Sequence, residues 1–263
     1  MNKIPKAVIF DLDDTLMIEE ASAIEAFRES SRQVEKDYGI AAEKLGEAGQ
    51  RCCMELWQQS PARQYCLDTH ISSREALWAD FTGDDPNLKI LREWAPYYRQ
   101  QSWSNALSAC GFNNPELAAS LAEAFILNRG KRQFLFPDTV SCLDKLSKEF
   151  DLALLTNGLS ELQRKKIDAA GIGRYFKEII IAGEIGFGKP DIRIFQLTLS
   201  RLKLQPEQAW MVGDNLRRDL EGAKALGIKT IWLNRDGKPG DADIVPDIEI
   251  TNLAQLVKFV RKT

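Results

Sequence analysis

Long hydrophobic runs are missing from this 263-residue sequence, and no membrane-spanning segment is therefore predicted. The first ten residues, MNKIPKAVIF, contain two lysines and a short apolar run but no small-residue cleavage site. This pattern indicates a first strand and argues against a signal peptide. We therefore expect a cytoplasmic protein.

Basic residues are in no excess, since 35 Lys and Arg stand against 38 Asp and Glu. A nucleic-acid-binding surface needs a broad cationic excess, so none is predicted, and a small anionic ligand would need a local cationic site. The five cysteines include no CxxC pair, and the sequence has one histidine, His70. Neither a disulfide framework nor a zinc site is expected. Composition leaves open whether the protein is a monomer or a homodimer.

Short apolar runs that alternate with amphipathic stretches are what the second half of the sequence does contain. Apolar runs with β-branched residues lie at 151–158, 178–184, 209–215, 229–235 and 247–251, with helix-like segments between them. This alternation is typical of βαβ units that form a parallel sheet. The run AVIF at 7–10 predicts one more strand, and the fold class is therefore α/β.

The segment between the first strand and the next βα unit has a helical pattern with almost no strand pattern. We expect residues 17–133 to form an inserted helical domain, and residues 1–16 with 134–263 to form the core. Proline and glycine punctuate the insertion, and Pro96 is among the expected helix boundaries. The basic group Arg129, Lys131 and Arg132 near its end could meet a substrate anion or be a hinge, and the hinge is the favoured interpretation.

Three aspartates follow the AVIF strand without an intervening turn, in the stretch AVIFDLDDTL at 7–16. Ionised carboxylates are costly to bury and repel one another at this spacing, so Asp11, Asp13 and Asp14 call for a cation among them. Asp14 is interpreted as a surface or helix-start charge, and Thr15 as a structural residue whose hydroxyl bonds the turn.

Polar residues also follow the other predicted strands. Because ligands of open parallel sheets lie at the carboxyl ends of the strands, these residues are expected to converge on one site. Carboxylates suit Mg²⁺, and hydroxyl, amide and ammonium groups suit phosphoryl oxygens. The candidate residues are Asp11, Asp13, Thr156, Asn157, Lys189, Asp214 and Asp219.

Four segments carry a resemblance to a known family: DxDxT at 11–15, TNG at 156–158, KP at 189–190 and GD…D at 213–219. In this order they resemble the four motifs of the haloacid dehalogenase superfamily. The resemblance covers the first strand and everything from about residue 134 onward. It implies a Rossmann-like parallel-sheet core with helices on both faces, a helical cap inserted after the first motif, and Mg²⁺-dependent phosphoryl transfer through an aspartyl-phosphate.

The aspartates take their expected roles from this resemblance. Asp11 would be the nucleophile and a metal ligand. Asp13 would be the catalytic acid and base, and would give its backbone carbonyl to the metal. Asp214 would bind Mg²⁺, and Asp219 would lie in or near the shell of metal ligands.

The resemblance also assigns the remaining site residues. Thr156 and Asn157 would hold the phosphoryl oxygens, and Lys189 would orient Asp11 and neutralise charge. The stretch GEIGFGKP at 183–190 also fits the GxxxxGK spacing of nucleotide-triphosphate sites, but Pro190 stands where a metal-binding Ser or Thr is required.

Within the superfamily, LLTNG and MVGD…WLN resemble the branch that contains N-acylneuraminate-9-phosphatase and pyrimidine nucleotidases. ISSREALWADF, in the expected cap, resembles a bacterial group of phosphoserine phosphatases. The leading expectation is a phosphatase for a small soluble phosphomonoester such as phosphoserine, a sugar phosphate or a nucleoside monophosphate. The alternatives are a 2-haloacid dehalogenase, whose branch lacks the aspartate two positions after the nucleophile, a phosphomutase, and a non-catalytic phosphate-binding module.

Overall fold

The computed structural model describes residues 4–262, so residues 1–3 and 263 of the expected core lie outside the described residues. The chain forms two compact units. One, the core unit, contains the chain up to Ile18 and again from Phe134 onward. The other, the inserted unit, is Glu19–Gln133. No helix in the described part of the chain has both the length and the hydrophobicity needed to cross a bilayer.

Strands are confined to the core unit among the described residues. In chain order they are β1 (Ala7–Phe10), β2 (Asp151–Thr156), β3 (Glu178–Ile181), β4 (Ala209–Gly213), β5 (Lys229–Leu233) and β6 (Ile248–Ile250). The helices of the inserted unit are α1 (Glu20–Tyr38), α2 (Ala42–Trp57), α3 (Arg63–Thr69), α4 (Ser73–Ala76), α5 (Pro86–Ala109) and α6 (Pro115–Gly130). The helices of the core unit are α7 (Thr139–Leu146), α8 (Ser160–Ala170), α9 (Ala182–Ile185), α10 (Ile192–Leu202), α11 (Gly222–Ala225) and α12 (Leu253–Lys262).

The six strands form one parallel sheet in the order β3-β2-β1-β4-β5-β6. The chain fills one side of β1 with β2 and β3, and then returns to the other side with β4, β5 and β6. The strand order therefore reverses next to β1, and ligands of such sheets bind at the carboxyl ends of the strands at this reversal. The expected fold class, an α/β protein with a Rossmann-like parallel sheet, is confirmed.

Helices cover both faces of the sheet. The central strands have apolar side chains on both faces, and these are buried from water only if both faces are covered. Val8 and Phe10 of β1 pack on one face with side chains from α7, α8 and α12. Ala7 and Ile9 pack on the opposite face with side chains from α10 and α11. All four residues of β1 are fully buried, which is typical of a central parallel strand.

The inserted unit is helical in all of its regular elements and has its own aromatic core. The ring centroids of Phe27 and Phe125 are 4.5 Å apart, and those of Phe27 and Trp103 are 5.7 Å apart. Gly49 of α2 lies against this cluster, where a Cβ atom would come within 3.1 Å of the Phe27 ring. The close approach of α2 to these rings therefore depends on a residue without a side chain.

Arg129 fastens the two ends of the inserted unit to each other. Its side chain is 1% exposed, and its Nη2 lies 2.5 Å from Oε2 of Glu19. Its Nη1 donates to the carbonyl of Arg132, and its guanidinium carbon lies 5.1 Å from the Trp78 ring centroid. The Arg129 side chain is therefore engaged within this unit and is buried, and the hinge interpretation of the basic group stays a prediction.

One expected helix boundary is wrong. Pro96 lies inside α5, which continues past it to Ala109. Proline in a helix interior costs about 3 kcal/mol, and burial of Leu91, Ala95 and Tyr98 on the same helix offsets this cost.

The first residues of the expected insertion also differ from the structure. Met17 is 2% exposed in the core of the core unit, and the backbone N–H of Ile18 donates to the carbonyl of Phe134. The structure thus assigns residues 17 and 18 to the core unit, whereas the insertion was expected to start at 17. The outgoing and returning chains pair here, which the apolar pattern of the sequence did not indicate.

Candidate active site

Asp11 and Lys189 form the centre of the site. Asp11 directly follows β1, and its backbone N–H donates to Val212 of the adjacent β4. The Nζ of Lys189 lies 2.5 Å from Oδ1 of Asp11 and 2.7 Å from Oδ1 of Asp219. Lys189 is 1% exposed, and a buried ammonium is stable only where carboxylates surround it.

Asp214 and Asp219 complete a cluster of carboxylates after β4. Oxygens of Asp11, Asp214 and Asp219 all lie within 4.8 Å of one another. Asp219 is held from two sides, by Lys189 on Oδ1 and by the backbone N–H of Asn215 on Oδ2. A Cβ atom at Gly213 would overlap the Asp219 carboxylate, so this approach requires glycine at the end of β4.

Burial raises the pKa values of two carboxyl groups in the cluster. Burial raises the pKa of the Asp11 carboxyl, and although the ammonium of Lys189 opposes this, the pKa reaches about 7. Burial, together with the carboxylates of Asp219 and Asp11, raises the pKa of Asp214 to about 8. Burial lowers the pKa of Lys189, but Asp11 and Asp219 outweigh it and the net pKa is raised, so the ammonium stays charged.

The donor set of this cluster fits a hard divalent cation. The carboxylates of Asp11 and Asp219 share the ammonium of Lys189, and among the described residues no hydrogen bond reaches the carboxylate of Asp214. Mg²⁺ takes oxygen ligands and leaves room for the oxygens of a substrate phosphate. Asp11, Asp214 and Asp219 are thus the side chains that would hold the ion, and these three were expected from the sequence.

Asp13 lies apart from this cluster, although only two positions separate it from Asp11. Lys166 Nζ lies 3.0 Å from Oδ1 and 3.1 Å from Oδ2 of Asp13. The Nε2 of Gln163 lies 2.9 Å from Oδ2 of the same carboxylate. Lys166 and Gln163 are fully buried on the inner side of α8.

Gln163 and Lys166 are site residues that sequence reasoning missed. They stand three positions apart in α8, on the same face as the buried apolar residues Leu162 and Ile167. A glutamine and a lysine on the apolar face of a short amphipathic helix are a detectable signal, because buried polar side chains need partners.

Thr156 ends β2, next to β1, and its hydroxyl is part of the same network. Gln163 Nε2 donates to the Thr156 hydroxyl oxygen over 2.7 Å. The Thr156 hydroxyl in turn donates a long hydrogen bond of 3.2 Å to the carbonyl of the next residue, Asn157. Its hydrogen is thus only weakly engaged and can be donated to a ligand oxygen.

The side chain of Asn157 forms two hydrogen bonds with the backbone of Lys189. Its Nδ2 donates to the carbonyl of Lys189 and its Oδ1 accepts the N–H of Lys189, each over 2.8 Å. The side chain expected to hold phosphoryl oxygens is therefore bonded on both polar atoms to the backbone of another site residue. The structure thus gives Asn157 a positioning contact that the sequence did not indicate.

Thr15 links the first and last of the aspartate segments. Its hydroxyl oxygen accepts the backbone N–H of Asp214 over 3.1 Å, and the side chain is fully buried. The bond therefore reaches across to β4, whereas a bond within its own turn was expected. Arg235 donates to the carbonyl of Thr15 and forms an ion pair with Asp138. The Asp138 carboxylate also accepts the N–H of Leu253 at the start of α12.

An open cavity of about 510 Å³ lies in the core unit beside Asp214. Asn215, Trp232 and Lys238 are among the residues that line it. The indole Nε1 of Trp232 donates to the carbonyl of Asp214 over 2.8 Å, which fixes this wall relative to the cluster. The volume is of the size that a small organic ligand occupies.

Two curated relatives align with most of the chain. A phosphoserine phosphatase of Thermus thermophilus is 35% identical over 257 residues, which cover 95% of this chain and 97% of the relative. The N-acylneuraminate-9-phosphatase of Mus musculus is 32% identical over 189 residues, which cover 68% of this chain and 76% of the relative. Both of the groups that the sequence motifs resemble are therefore represented among the relatives.

Solved structures share the fold along the whole chain. The magnesium-bound hydrolase YfnB of Bacillus subtilis superposes with a TM-score of 0.67 at 23% identity, covering 98% of this chain and 99% of that one. A 2-haloacid dehalogenase of Pseudomonas syringae pv. Tomato superposes with a TM-score of 0.57 at 29% identity, over the same shares of the two chains.

The family model for haloacid dehalogenase-like hydrolases matches residues 5–227. This range contains β1 with Asp11, the end of β2, Lys189 and the Asp214–Asp219 segment. Membership therefore rests on the match over most of the chain and on a cluster built from the first, third and fourth of the motif segments. The chain belongs to the haloacid dehalogenase-like hydrolases.

Proposed function

We propose that this enzyme is a Mg²⁺-dependent phosphatase that hydrolyses a small phosphomonoester through an aspartyl-phosphate on Asp11. The observation that carries the proposal is that Asp11 and Asp13, only two positions apart in the sequence, have their carboxylates held by different partners. Lys189 holds Asp11 within the buried cluster, whereas Lys166 and Gln163 hold Asp13 outside it. Two carboxylates in different surroundings suit two different roles.

In the first step, an oxygen of Asp11 forms a bond to phosphorus and the bond from phosphorus to the ester oxygen breaks. Asp13, in its protonated form, gives its proton to the departing oxygen, so the alcohol leaves neutral. Lys189 keeps the attacking carboxylate oriented, and the Thr156 hydroxyl donates to a phosphoryl oxygen. Bound Mg²⁺ would neutralise charge on the transferred phosphoryl group.

In the second step, the oxygen of a water molecule forms a bond to phosphorus and the bond from phosphorus to Asp11 breaks. Asp13, now ionised, takes the proton that the water loses. Inorganic phosphate leaves, and both carboxyl groups return to their starting states. The sum of the two steps is ester plus water giving alcohol plus phosphate.

Phosphoserine is the first substrate candidate, supported by the 35% identity to the phosphoserine phosphatase over nearly the whole chain. Sugar phosphates and nucleoside monophosphates are the other candidates, supported by the N-acylneuraminate-9-phosphatase relative and by the resemblance to pyrimidine nucleotidases. All are small soluble metabolites, which agrees with a cytoplasmic enzyme without a membrane or nucleic-acid partner.

Dehalogenation of 2-haloacids is the second candidate, because a dehalogenase is among the structural neighbours above 25% identity. A halide leaves as a stable anion and needs no proton. The network that holds Asp13 would then have no role in the departure of the leaving group. Chloride release from 2-chloropropionate is expected to be absent, and a turnover comparable to that of phosphoserine would favour this alternative.

The test of phosphatase activity is phosphate release from p-nitrophenyl phosphate and phosphoserine. EDTA should remove the activity, Mg²⁺ should restore it, and Ca²⁺ should not. The larger Ca²⁺ accepts more ligands and would draw both oxygens of Asp11 onto the metal, leaving none to attack. Activity that survives EDTA, or full activity with Ca²⁺, would contradict the proposed role of the metal site.

The covalent step is tested with the Asp13→Asn variant. Because p-nitrophenolate leaves without a proton, the first step should persist while hydrolysis of the aspartyl-phosphate slows. We expect a burst of about one equivalent of p-nitrophenol per site, and phosphate retained on Asp11 in acid-quenched protein. Phosphoserine should give almost no burst. Mass spectrometry that finds no phosphorylated peptide around Asp11 would refute the covalent mechanism.

A further inference from the structure

Lys166 and Gln163 of α8 approach the carboxylate of Asp13 from a helix that none of the four family motifs includes. Three hydrogen bonds of 2.9 to 3.1 Å join the two side chains to the two oxygens of Asp13. Asp13 itself is partly accessible, with 28% of its side chain exposed, whereas Lys166 is fully buried. The buried partner is thus the fixed one, and the accessible carboxylate is held against it.

A buried lysine without a carboxylate partner is unfavourable, because taking its ammonium out of water is costly. An apolar residue at 166 would continue the buried face of α8 formed by Leu162 and Ile167. The chain instead carries an ammonium there, within hydrogen-bond distance of both oxygens of Asp13. A cation at this point draws Asp13 away from the cluster of Asp11, Asp214 and Asp219, to which a fourth carboxylate could otherwise turn.

Gln163 connects this carboxylate to the phosphate-binding side of the site. Its Nε2 lies within 2.9 Å of Oδ2 of Asp13, of the Thr156 hydroxyl and of the Asn157 carbonyl. The same amide group therefore sets the distance between the proposed proton-transfer group and the hydroxyl that would hold the phosphoryl group.

We infer that Lys166 and Gln163 are positioning residues that hold the Asp13 carboxylate outside the metal-type cluster and at a fixed place relative to Thr156, where it can transfer protons in both steps. The inference rests on the proposed phosphatase function. Lys166 acts on the reaction through Asp13, whereas Gln163 acts through both Asp13 and Thr156.

The test is the Lys166→Met variant, in which methionine fills the space without an ammonium. For p-nitrophenyl phosphate, kcat/KM reports formation of the phosphoenzyme, which needs no proton donor, whereas kcat also includes its hydrolysis. We expect kcat to fall about 10- to 100-fold while kcat/KM stays near the wild-type value. With phosphoserine, whose leaving group needs a proton, kcat/KM should fall as well.

Two further readouts separate positioning from structural damage. Acid-quenched Lys166→Met should contain more phosphoenzyme than the wild type during turnover of p-nitrophenyl phosphate. In an Asp13→Asn background, Lys166→Met should lower kcat little further, because the carboxylate that Lys166 holds is already removed.

The control is Lys165→Met, on the exposed side of the same helix, which should leave kcat, kcat/KM and the amount of phosphoenzyme unchanged. If Lys166→Met does not fold, Lys166→Gln, which keeps a donor and removes the charge, replaces it.

Gln163→Leu should behave differently, because Thr156 loses its partner. In this variant kcat/KM for p-nitrophenyl phosphate should fall together with kcat. An unchanged kcat/KM would overturn the connection from Gln163 to Thr156.

Lys166→Met with wild-type kinetics would overturn the inference for Lys166. An equal fall of kcat and kcat/KM on p-nitrophenyl phosphate without added phosphoenzyme, or a full effect in the Asp13→Asn background, would overturn it too. A wild-type enzyme that releases no phosphate and forms no phosphoenzyme would instead refute the proposed function, and the inference with it. The measurement on the wild-type enzyme therefore tells failure of the inference apart from failure of the proposed function.

Discussion

The ammonium of Lys189 lies 2.5 Å from the carboxylate of Asp11, and both side chains are almost entirely buried. The same ammonium lies 2.7 Å from Asp219, so one ammonium hydrogen-bonds two carboxylates. Lys189 is therefore the buried cation that hydrogen-bonds two of the three carboxylates directly. The guanidinium of Arg218 acts on the same carboxylates, and although burial lowers the pKa of Arg218, the carboxylates outweigh it and the net pKa is raised.

Replacement of this cation is expected to damage both activity and stability. In Lys189→Met, Asp11 and Asp219 lose the group that offsets their repulsion, and loss of one partner of a buried pair costs about 3–5 kcal/mol. The kcat for p-nitrophenyl phosphate should fall about 10²- to 10³-fold at saturating Mg²⁺. Denaturant unfolding and steady-state kinetics measure the two effects.

The matched control for Lys189 is Lys148→Met. Lys148 forms a 2.8 Å pair with Asp144, but both side chains are exposed, so its removal should cost under about 1 kcal/mol and leave kcat unchanged. Equal stability losses in the two variants would contradict the importance of burial at Lys189.

Asp11→Asn should abolish turnover by several orders of magnitude, because an amide is a far weaker nucleophile than a carboxylate. Asp14→Asn is the matched control, since Asp14 has a positive φ of 60°, which asparagine also tolerates. This variant should retain most of its activity. Phosphate release under single-turnover conditions measures both, and a first turnover retained in Asp11→Asn would mean that another group attacks phosphorus.

Stability of the metal-free protein should fall as the pH rises. The pKa of Asp11 is raised to about 7 and that of Asp214 to about 8, so between about pH 4 and 8 the folded state binds protons more tightly than the unfolded state. Unfolding then becomes easier with each step up in pH through this window. Thermal melts in EDTA from pH 5 to pH 8 measure the trend.

Added Mg²⁺ should reverse this trend, because it binds the ionised carboxylates and competes with protons. At saturating Mg²⁺ the rise in Tm should be larger at pH 8 than at pH 5 by at least about 3 °C. Asp214→Asn should remove most of this difference. Equal rises in Tm at the two pH values would show that the cluster does not titrate as its burial implies.

Thr15→Val should weaken the link between the two aspartate segments. It leaves the buried N–H of Asp214 without its acceptor, which costs about 1–3 kcal/mol. Thr15→Ser keeps the hydroxyl and should keep most of the stability. The free energies of unfolding from urea titrations test this, and similar values for the two variants would mean that the hydroxyl does not matter.

The sequence by itself determined the sheet and the residues at its carboxyl edge. Strands such as AVIF and AWMVG are apolar on both sides because both of their faces are buried, and this leaves a pattern that can be read without any tertiary information. The residues after those strands, from Asp11 to Asp214, could be expected to meet because parallel strands direct their carboxyl ends to one edge.

Packing decides several local boundaries, because it can outweigh local preference. Pro96 predicts a helix end, but the buried residues around it keep α5 continuous. Met17 and Ile18 belong to the core unit because the chain that returns at Phe134 pairs with them, more than a hundred residues away in sequence.

Only the tertiary structure decided which polar side chains pair within the site. It directs both polar atoms of Asn157 to the backbone of Lys189, and it places Lys166 and Gln163 against Asp13, 150 or more positions away along the chain. A sequence states which residues can form hydrogen bonds, whereas burial decides which partners are within reach. At this site that choice separates Asp11 from Asp13, which the sequence places only two positions apart.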